Sequence, residues 1–168
     1  MIEIENFLSK KQCDYFIKFH NDNFDTTDNT NKSLNDLGNG EKTEVINFQY
    51  FLRLSQFRYV FTLLCNHIQN INKQSFISYL EIVKWYNGSS QKFHKDSDFL
   101  TWTSIIYLND NYEGGETIVN DKIIKPKQGK IVTFQGKDLE HKVNEIKNNN
   151  RYTIPVWYTD IDENLYGI

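Results

Sequence analysis

The spacing of apolar residues changes character near residue 75. Upstream it is helical. Residues 2–8 (IEIENFL) read as a short strand entering a turn. Ser9 suits a helix N-cap, and Cys13, Phe16, Ile17, Phe19 and His20 recur at helical spacing, which predicts a helix over 9–22. A second helix is predicted over 54–72, with Leu54, Phe57, Val60, Phe61, Leu64, Ile68 and Ile71 as its apolar stripe. Between them, 23–43 is polar and rich in Gly, Asn and Asp, and reads as one long loop. Downstream the runs become short and β-rich: SFISYLEIVKWY, FLTWTSIIYLN, ETIVN, KIIKP, KIVTF and RYTIPVWYTD. Turn signals such as Asn87-Gly88, Gly114-Gly115 and Asn120-Asp121 separate them. Helices first and many strands afterwards predict a mainly β fold with flanking helices.

Composition narrows this picture. A chain of 168 residues suits one domain over 1–168, with 1–74 as supporting strand and helices and 75–160 as the β core. Mean hydropathy is −0.62, which leans polar, but 15% aromatic residues supply a core and exclude a wholly disordered chain. Alanine is absent while Asn, Lys and Ile abound, a bias that reads as the mark of an AT-rich genome. No stretch approaches the roughly 18 apolar residues of a membrane span. The N-terminal MIEIENFLSKKQCDYF lacks the apolar core of a signal peptide, so a cytoplasmic protein is expected, or one of the host cytoplasm if the source is viral. The net charge of −3 argues against nucleic-acid binding by bulk electrostatics. Lysines between Lys122 and Lys130 read as a solvated hairpin. Cys13 and Cys65 fall on the predicted helices and read as buried reduced thiols. The tail DIDENLYGI reads as an exposed end.

Candidate chemistry centres on histidine. Of the four, His20 and His67 fall in predicted helices and read as ordinary polar helix residues. His94 stands in Phe93-His94-Lys95-Asp96. In an extended segment, residues i and i+2 point to the same side, so His94 and Asp96 present imidazole and carboxylate together. His141 lies 47 positions downstream. Two histidines and one carboxylate can occupy one face of an octahedral metal and leave three positions open, a set that suits Fe(II) and that zinc also fits. Arg151 is one of three arginines, with Arg53 and Arg58. Alone it reads as a surface salt bridge; with the His/Asp/His set it reads as a planar clamp for a carboxylate. On RYTIPVW, Arg151, Thr153, Pro155 and Trp157 share one strand face, and Thr153 can support the same carboxylate. Tyr107, on a face with Thr101, Thr103 and Ile105, is either a packed strand tyrosine or a hydrogen-bond donor near Arg151. Tyr86 is a candidate wall residue.

Taken together, these residues resemble the prolyl 4-hydroxylase-type 2-oxoglutarate/Fe(II) dioxygenases. The likeness covers about 80–160: WYNGSSQKFHKDSD, IIYLN at 105–109, GGET at 114–117, Pro126 with Gly129, Phe134, His141-Lys-Val and RYTIPVW. The last strand is similar to the oxygen-sensing branch, that of the hypoxia-inducible-factor prolyl hydroxylases, which uses Arg where collagen-type enzymes use Lys. The resemblance implies a double-stranded β-helix core (jelly-roll, cupin-like). It implies Fe(II) held by His94, Asp96 and His141, and 2-oxoglutarate paired with Arg151 and hydrogen-bonded by Tyr107. Thr153, Ile105, Thr117 and Val143 fall on cosubstrate-pocket walls; Tyr86 and Trp157 fall near the iron and the substrate opening. The implied reaction consumes O2 and 2-oxoglutarate, releases succinate and CO2, and hydroxylates a substrate, with ascorbate as reductant. An intact Asp96 counts against a halogenase, and Trp157 replaces the second arginine of the nucleic-acid demethylases. A peptidyl-prolyl substrate is expected. Alternatives are a lysyl residue, a free amino acid or another small molecule, or an inactive jelly-roll binding module. The 23–43 loop is a candidate substrate lid.

Overall fold

Helix α1 spans Lys10–Asn23 and helix α2 spans Ser55–Ile71, close to the predicted limits. This computed structural model describes residues 1–36, 40 and 42–161. Ser9 caps α1 through a reciprocal box: its hydroxyl accepts from the Gln12 amide, and the Gln12 side chain accepts from the Ser9 amide. The apolar stripes of the two helices meet in an aromatic cluster. Phe57 lies 5.1 Å from Phe16 and 4.5 Å from Phe48, ring centre to ring centre. Phe48 comes from a 3-10 turn at Phe48–Phe51.

Thirteen strands are described: β1 (Ile2–Ile4), β2 (Lys32–Asp36), β3 (Lys42–Asn47), β4 (Ser75–Trp85), β5 (Gln91–His94), β6 (Trp102–Tyr107), β7 (Glu113–Gly114), β8 (Thr117–Val119), β9 (Lys122–Ile124), β10 (Ile131–Phe134), β11 (His141–Val143), β12 (Ile146–Lys147) and β13 (Arg151–Asp160). A large sheet runs β1-β10-β6-β13-β4-β3-β2, and a smaller one runs β5-β11-β8-β9. β7 and β12 form a two-stranded ribbon.

Period-2 alternation gives the large sheet two different faces. Leu80, Ile82, Ile106, Ile154, Val156 and Tyr158 pack on the helices. The opposite face packs on the small sheet, through Ile105, Tyr107 and Phe134 against Val119 and Ile124, and through Val45, Val83 and Trp85 against Val143. This is the expected jelly roll with helices outside. The same alternation splits β13 as the sequence predicts: Tyr152, Ile154, Val156 and Tyr158 face the helices, while Arg151, Thr153, Pro155 and Trp157 face the small sheet.

Three expectations need correction. Residues 23–43 are not one loop, because Lys32–Asp36 forms β2 and pairs antiparallel with β3, which begins at Lys42. β2 is a polar edge strand, stabilised by backbone pairing and without an apolar period to betray it. Within 23–43, the segment expected as a lid, the hairpin tip at 37–39 and 41 lies outside the described residues, as does the tail at 162–168. The lysines of 122–130 are not simply solvated. Lys122 pairs with Glu3 and Lys127 with Glu5, while Lys130 is buried and meets both acids, so they tie β1 to the sheet. His20 and His67 are buried: His20 Nε2 meets the Glu44 carbonyl at 3.2 Å, and His67 Nε2 meets the Thr133 hydroxyl at 2.8 Å. Cys13 is buried as expected; Cys65 is half-buried, and both are free. No described helix is long and apolar enough to cross a membrane.

Candidate metal centre and cosubstrate pocket

Pairing of β5 with β11 sets His141 opposite His94, with ring centroids 4.2 Å apart. Asp96 lies just past the end of β5. Its amide donates to the Gly136 carbonyl at 3.0 Å, and its Oδ2 accepts from the Thr103 hydroxyl. Its other oxygen, Oδ1, stands 4.0 Å from His94 Nε2 and 3.7 Å from His141 Nε2. The three ligand atoms lie within 4.8 Å of one another.

Both imidazoles are oriented from behind. Nδ1 of His94 meets the Lys92 carbonyl at 3.0 Å, and Nδ1 of His141 meets the Leu139 carbonyl at 2.9 Å. A carbonyl only accepts, so each Nδ1 carries the proton and each Nε2 presents a lone pair toward Asp96. Burial further favours the neutral form of His141 by lowering its pKa. Two imidazoles and a carboxylate, converging with no thiolate, suit Fe(II).

Gly136 makes this arrangement possible. A methyl group at its Cα would overlap Asp96 Oδ2 and the Thr103 hydroxyl.

The triad lines one side of a cavity of about 170 Å³, and Arg151 lies at the other side. Arg151 is 1% exposed, with the Trp85 ring 5.5 Å and the Tyr107 ring 5.4 Å from its guanidinium carbon. Its Nη2 donates to Thr117 Oγ1 at 3.3 Å, and the Tyr107 hydroxyl donates to the same oxygen at 2.7 Å. With two bonds accepted, the Thr117 hydroxyl retains its own proton to donate. Arg151 Nε, Trp85 Nε1 and the Tyr112 hydroxyl are buried without partners. Burial pushes the Tyr112 phenol up, against the pull of the Arg151 charge. Among the described residues no carboxylate pairs with Arg151. An unpaired buried guanidinium among bare donors is costly, and an incoming carboxylate relieves that cost. The donor set therefore fits a dicarboxylate such as 2-oxoglutarate, and the triad fits its metal.

The cavity brings together most residues expected from sequence. Thr153, Ile105, Thr117, Val143 and Trp157 line it with His94, Asp96, His141 and Arg151. Tyr107 is fully buried behind Thr117 and reaches the cavity through that hydroxyl. Tyr86 does not line it. Strand parity turns Tyr86 the other way, where its hydroxyl bonds the Glu44 carboxylate. Its neighbour Trp85 lines the cavity instead, at the Arg151 end, where the two Cα atoms pair directly. The pairing of β4 with β13 fixes that parity, and the sequence does not state the pairing. Glu81, Tyr112, Thr103 and Gly136 were also unmarked as site residues.

The fold and site define a jelly-roll protein with a two-histidine, one-carboxylate set able to hold a metal. The chain matches the 2OG-Fe(II) oxygenase superfamily over residues 76–159, half of its length, and belongs to that family. Human prolyl 3-hydroxylase 2 is 30% identical over 69 residues, which cover 36% of this chain and 10% of that protein. This chain thus corresponds to about a tenth of the length of the curated relatives it matches. A Pseudomonas putida prolyl-4-hydroxylase shares the fold with a TM-score of 0.74 at 13% identity, covering 95% of this chain and 92% of that one. A Trichoplax adhaerens prolyl hydroxylase, solved with a hypoxia inducible factor peptide fragment, gives 0.73 at 18% identity, covering 95% and 83%.

Proposed function

We propose that this chain is an Fe(II)- and 2-oxoglutarate-dependent hydroxylase acting on a prolyl residue of a peptide or protein. The observation that carries this reading is the pairing, within one cavity, of a converged His94/Asp96/His141 set with a buried arginine that lacks a counter-charge. His94, Asp96 and His141 hold the metal. Arg151 clamps the distal carboxylate of 2-oxoglutarate, and Thr117, oriented by Tyr107, donates to it. Trp85, Thr153, Ile105 and Val143 wall the cosubstrate, and Trp157 stands toward the substrate. Bound together, metal and cosubstrate supply the oxidising chemistry that replaces a substrate C–H by C–OH, with succinate and CO2 released. The protein's part is to orient the ligands, exclude water and fix the C–H bond. The prolyl target is supported by the likeness to prolyl hydroxylases, and ascorbate as accessory reductant rests on that likeness alone.

The test is anaerobic titration with Fe(II) and 2-oxoglutarate, read by the weak visible charge-transfer band. A band is expected, and succinate should form with proline-containing peptides in air. His94→Ala should abolish metal binding. Arg151→Ala should weaken 2-oxoglutarate by tenfold or more and spare the metal. No band in the unmodified protein sinks the proposal, and equal loss of both ligands in Arg151→Ala contradicts the roles.

A further inference from the structure

One cavity residue has no part in the chemistry above. Glu81 lines the cavity from β4. Val83 opposes Thr153 and Tyr79 opposes Trp157, so the register sets Glu81 beside Pro155, between the Arg151 end and the Trp157 end of β13. Trp157 in turn opposes Thr103, which holds Asp96. Glu81 therefore stands one step from the level of the metal ligands. The Tyr79 and Trp157 rings, stacked at 4.5 Å, flank it on the side away from Arg151.

Glu81 has neither a hydrogen bond nor an ion pair among the described residues. Elsewhere the half-buried acids are satisfied: Glu44 meets Lys84 and Tyr86, and Asp160 meets Ser75 and Thr101. With no cation to oppose it, burial pushes the Glu81 carboxyl up to about 7. Charge accounting agrees with the geometry. Fe(II), the Asp96 carboxylate, a 2-oxoglutarate dianion and the Arg151 guanidinium neutralise one another. Glu81 is the one ionisable group left over, so with a neutral substrate it either keeps its proton or stands as an unpaired buried anion.

We propose that Glu81 is the specificity residue of this site and receives the ammonium group of an amine-bearing substrate, next to the carbon that is hydroxylated. Trp157, which lines the cavity, adds an aromatic surface beside the same cation. The proposal rests on the hydroxylase reading and sharpens it. The preferred target carries a free amine, either the ring nitrogen of an N-terminal prolyl residue or the side chain of a lysyl residue.

The experiment uses protein loaded anaerobically with Fe(II) and 2-oxoglutarate, and reads substrate binding as a shift of the visible band. Three probes are compared: Pro-Gly-Gly with a free N-terminus, its N-acetyl form, and an N-acetylated, C-amidated Gly-Lys-Gly. At least one ammonium-bearing probe should bind tenfold or more tightly than N-acetyl-Pro-Gly-Gly, in line with a charge-assisted hydrogen bond. Whichever it is names the source of the amine. Glu81→Gln should form the band itself and lose the preference. Equal or tighter binding of the N-acetyl prolyl probe overturns the proposal, even if Glu81→Gln does not fold. A preference that survives in Glu81→Gln also overturns it, because Gln retains a hydrogen-bonding amide and loses only the charge. Failure of the band to form in the unmodified protein is a separate result, and it overturns the hydroxylase reading together with this one.

Discussion

At Gly136 the absence of a single carbon decides where the proposed metal ligand Asp96 can sit. Its backbone is not left-handed, so the requirement is space: a methyl group would drive into the Asp96 carboxylate and the Thr103 hydroxyl that holds it. Gly136→Ala should therefore lower affinity for Fe(II), or for Co(II) as a stable surrogate, by tenfold or more, while the far-UV circular dichroism is unchanged. Unchanged metal affinity in a titration would refute this account of Gly136. Thr117 has an analogous place at the other side of the cavity. Thr117→Val leaves the Tyr107 hydroxyl and Arg151 Nη2 without their shared acceptor, each buried. It also removes the hydroxyl proposed to donate to the cosubstrate carboxylate, a bond worth about 1.5–3 kcal/mol, so 2-oxoglutarate should bind about tenfold more weakly with the metal site intact. Separate titrations of the two ligands check both halves of that statement. His94, His141 and Arg151, which the structure brings to one cavity, stand out in the sequence because histidine and arginine are scarce in it, and Asp96 stands out by its i+2 spacing from His94. Gly136 carries no side chain to read. Tyr86 was expected as a wall residue but does not line the cavity, because one residue of strand parity reverses which side chain faces in.

The elements were legible wherever a periodic apolar face had to be buried. Both helices and the long inner strands β4, β6 and β13 have such a face, and they lie where the spacing predicts them. β2 has none, and its existence depends on β3 beside it. β1 also buries none of its three residues, yet the sequence reads a strand there, within 2–8. Its strand pairing to β10 is reinforced by Glu3 and Glu5 against the 122–130 lysines. These ion pairs differ in value. Lys127 is largely exposed, and its pair with Glu5 contributes about 0–1 kcal/mol. Lys130 is buried, with Nζ also donating to the Lys125 carbonyl at 3.0 Å and to Glu3 at 3.3 Å. Lys130→Ala should cost about 2–3 kcal/mol and Lys127→Ala less than about 1 kcal/mol, compared by denaturant unfolding. Equal costs would mean that β1 is held by its backbone bonds alone.

For the whole molecule, protonation couples the cavity to stability. His20 and His67 are both held below their ordinary value by burial, so the unfolded chain takes up protons that the folded chain refuses. Their contribution is intact above about pH 6.5 and declines as the pH falls below it. Glu81 acts in the opposite sense. Its carboxyl is raised from 4.5 to about 7, so between those values the folded chain holds a proton that the unfolded chain has released. Stability from this group is therefore full below pH 4.5 and lost as the pH rises through 7. The loss amounts to about 3 kcal/mol once the buried carboxyl is ionised. Comparison of the unmodified protein with Glu81→Gln isolates this effect, because both carry the same histidines. In metal-free protein, held so with a chelator, the two should melt together near pH 4.5. Near pH 8 Glu81→Gln should melt several degrees higher. The gap should open across the interval in which Glu81 ionises, and the thermal midpoint at half-unit steps of pH measures it. A gap that is constant with pH would mean that the carboxyl is already solvated or paired in the folded protein. The unpaired charge that an ammonium ion is proposed to neutralise would then not exist.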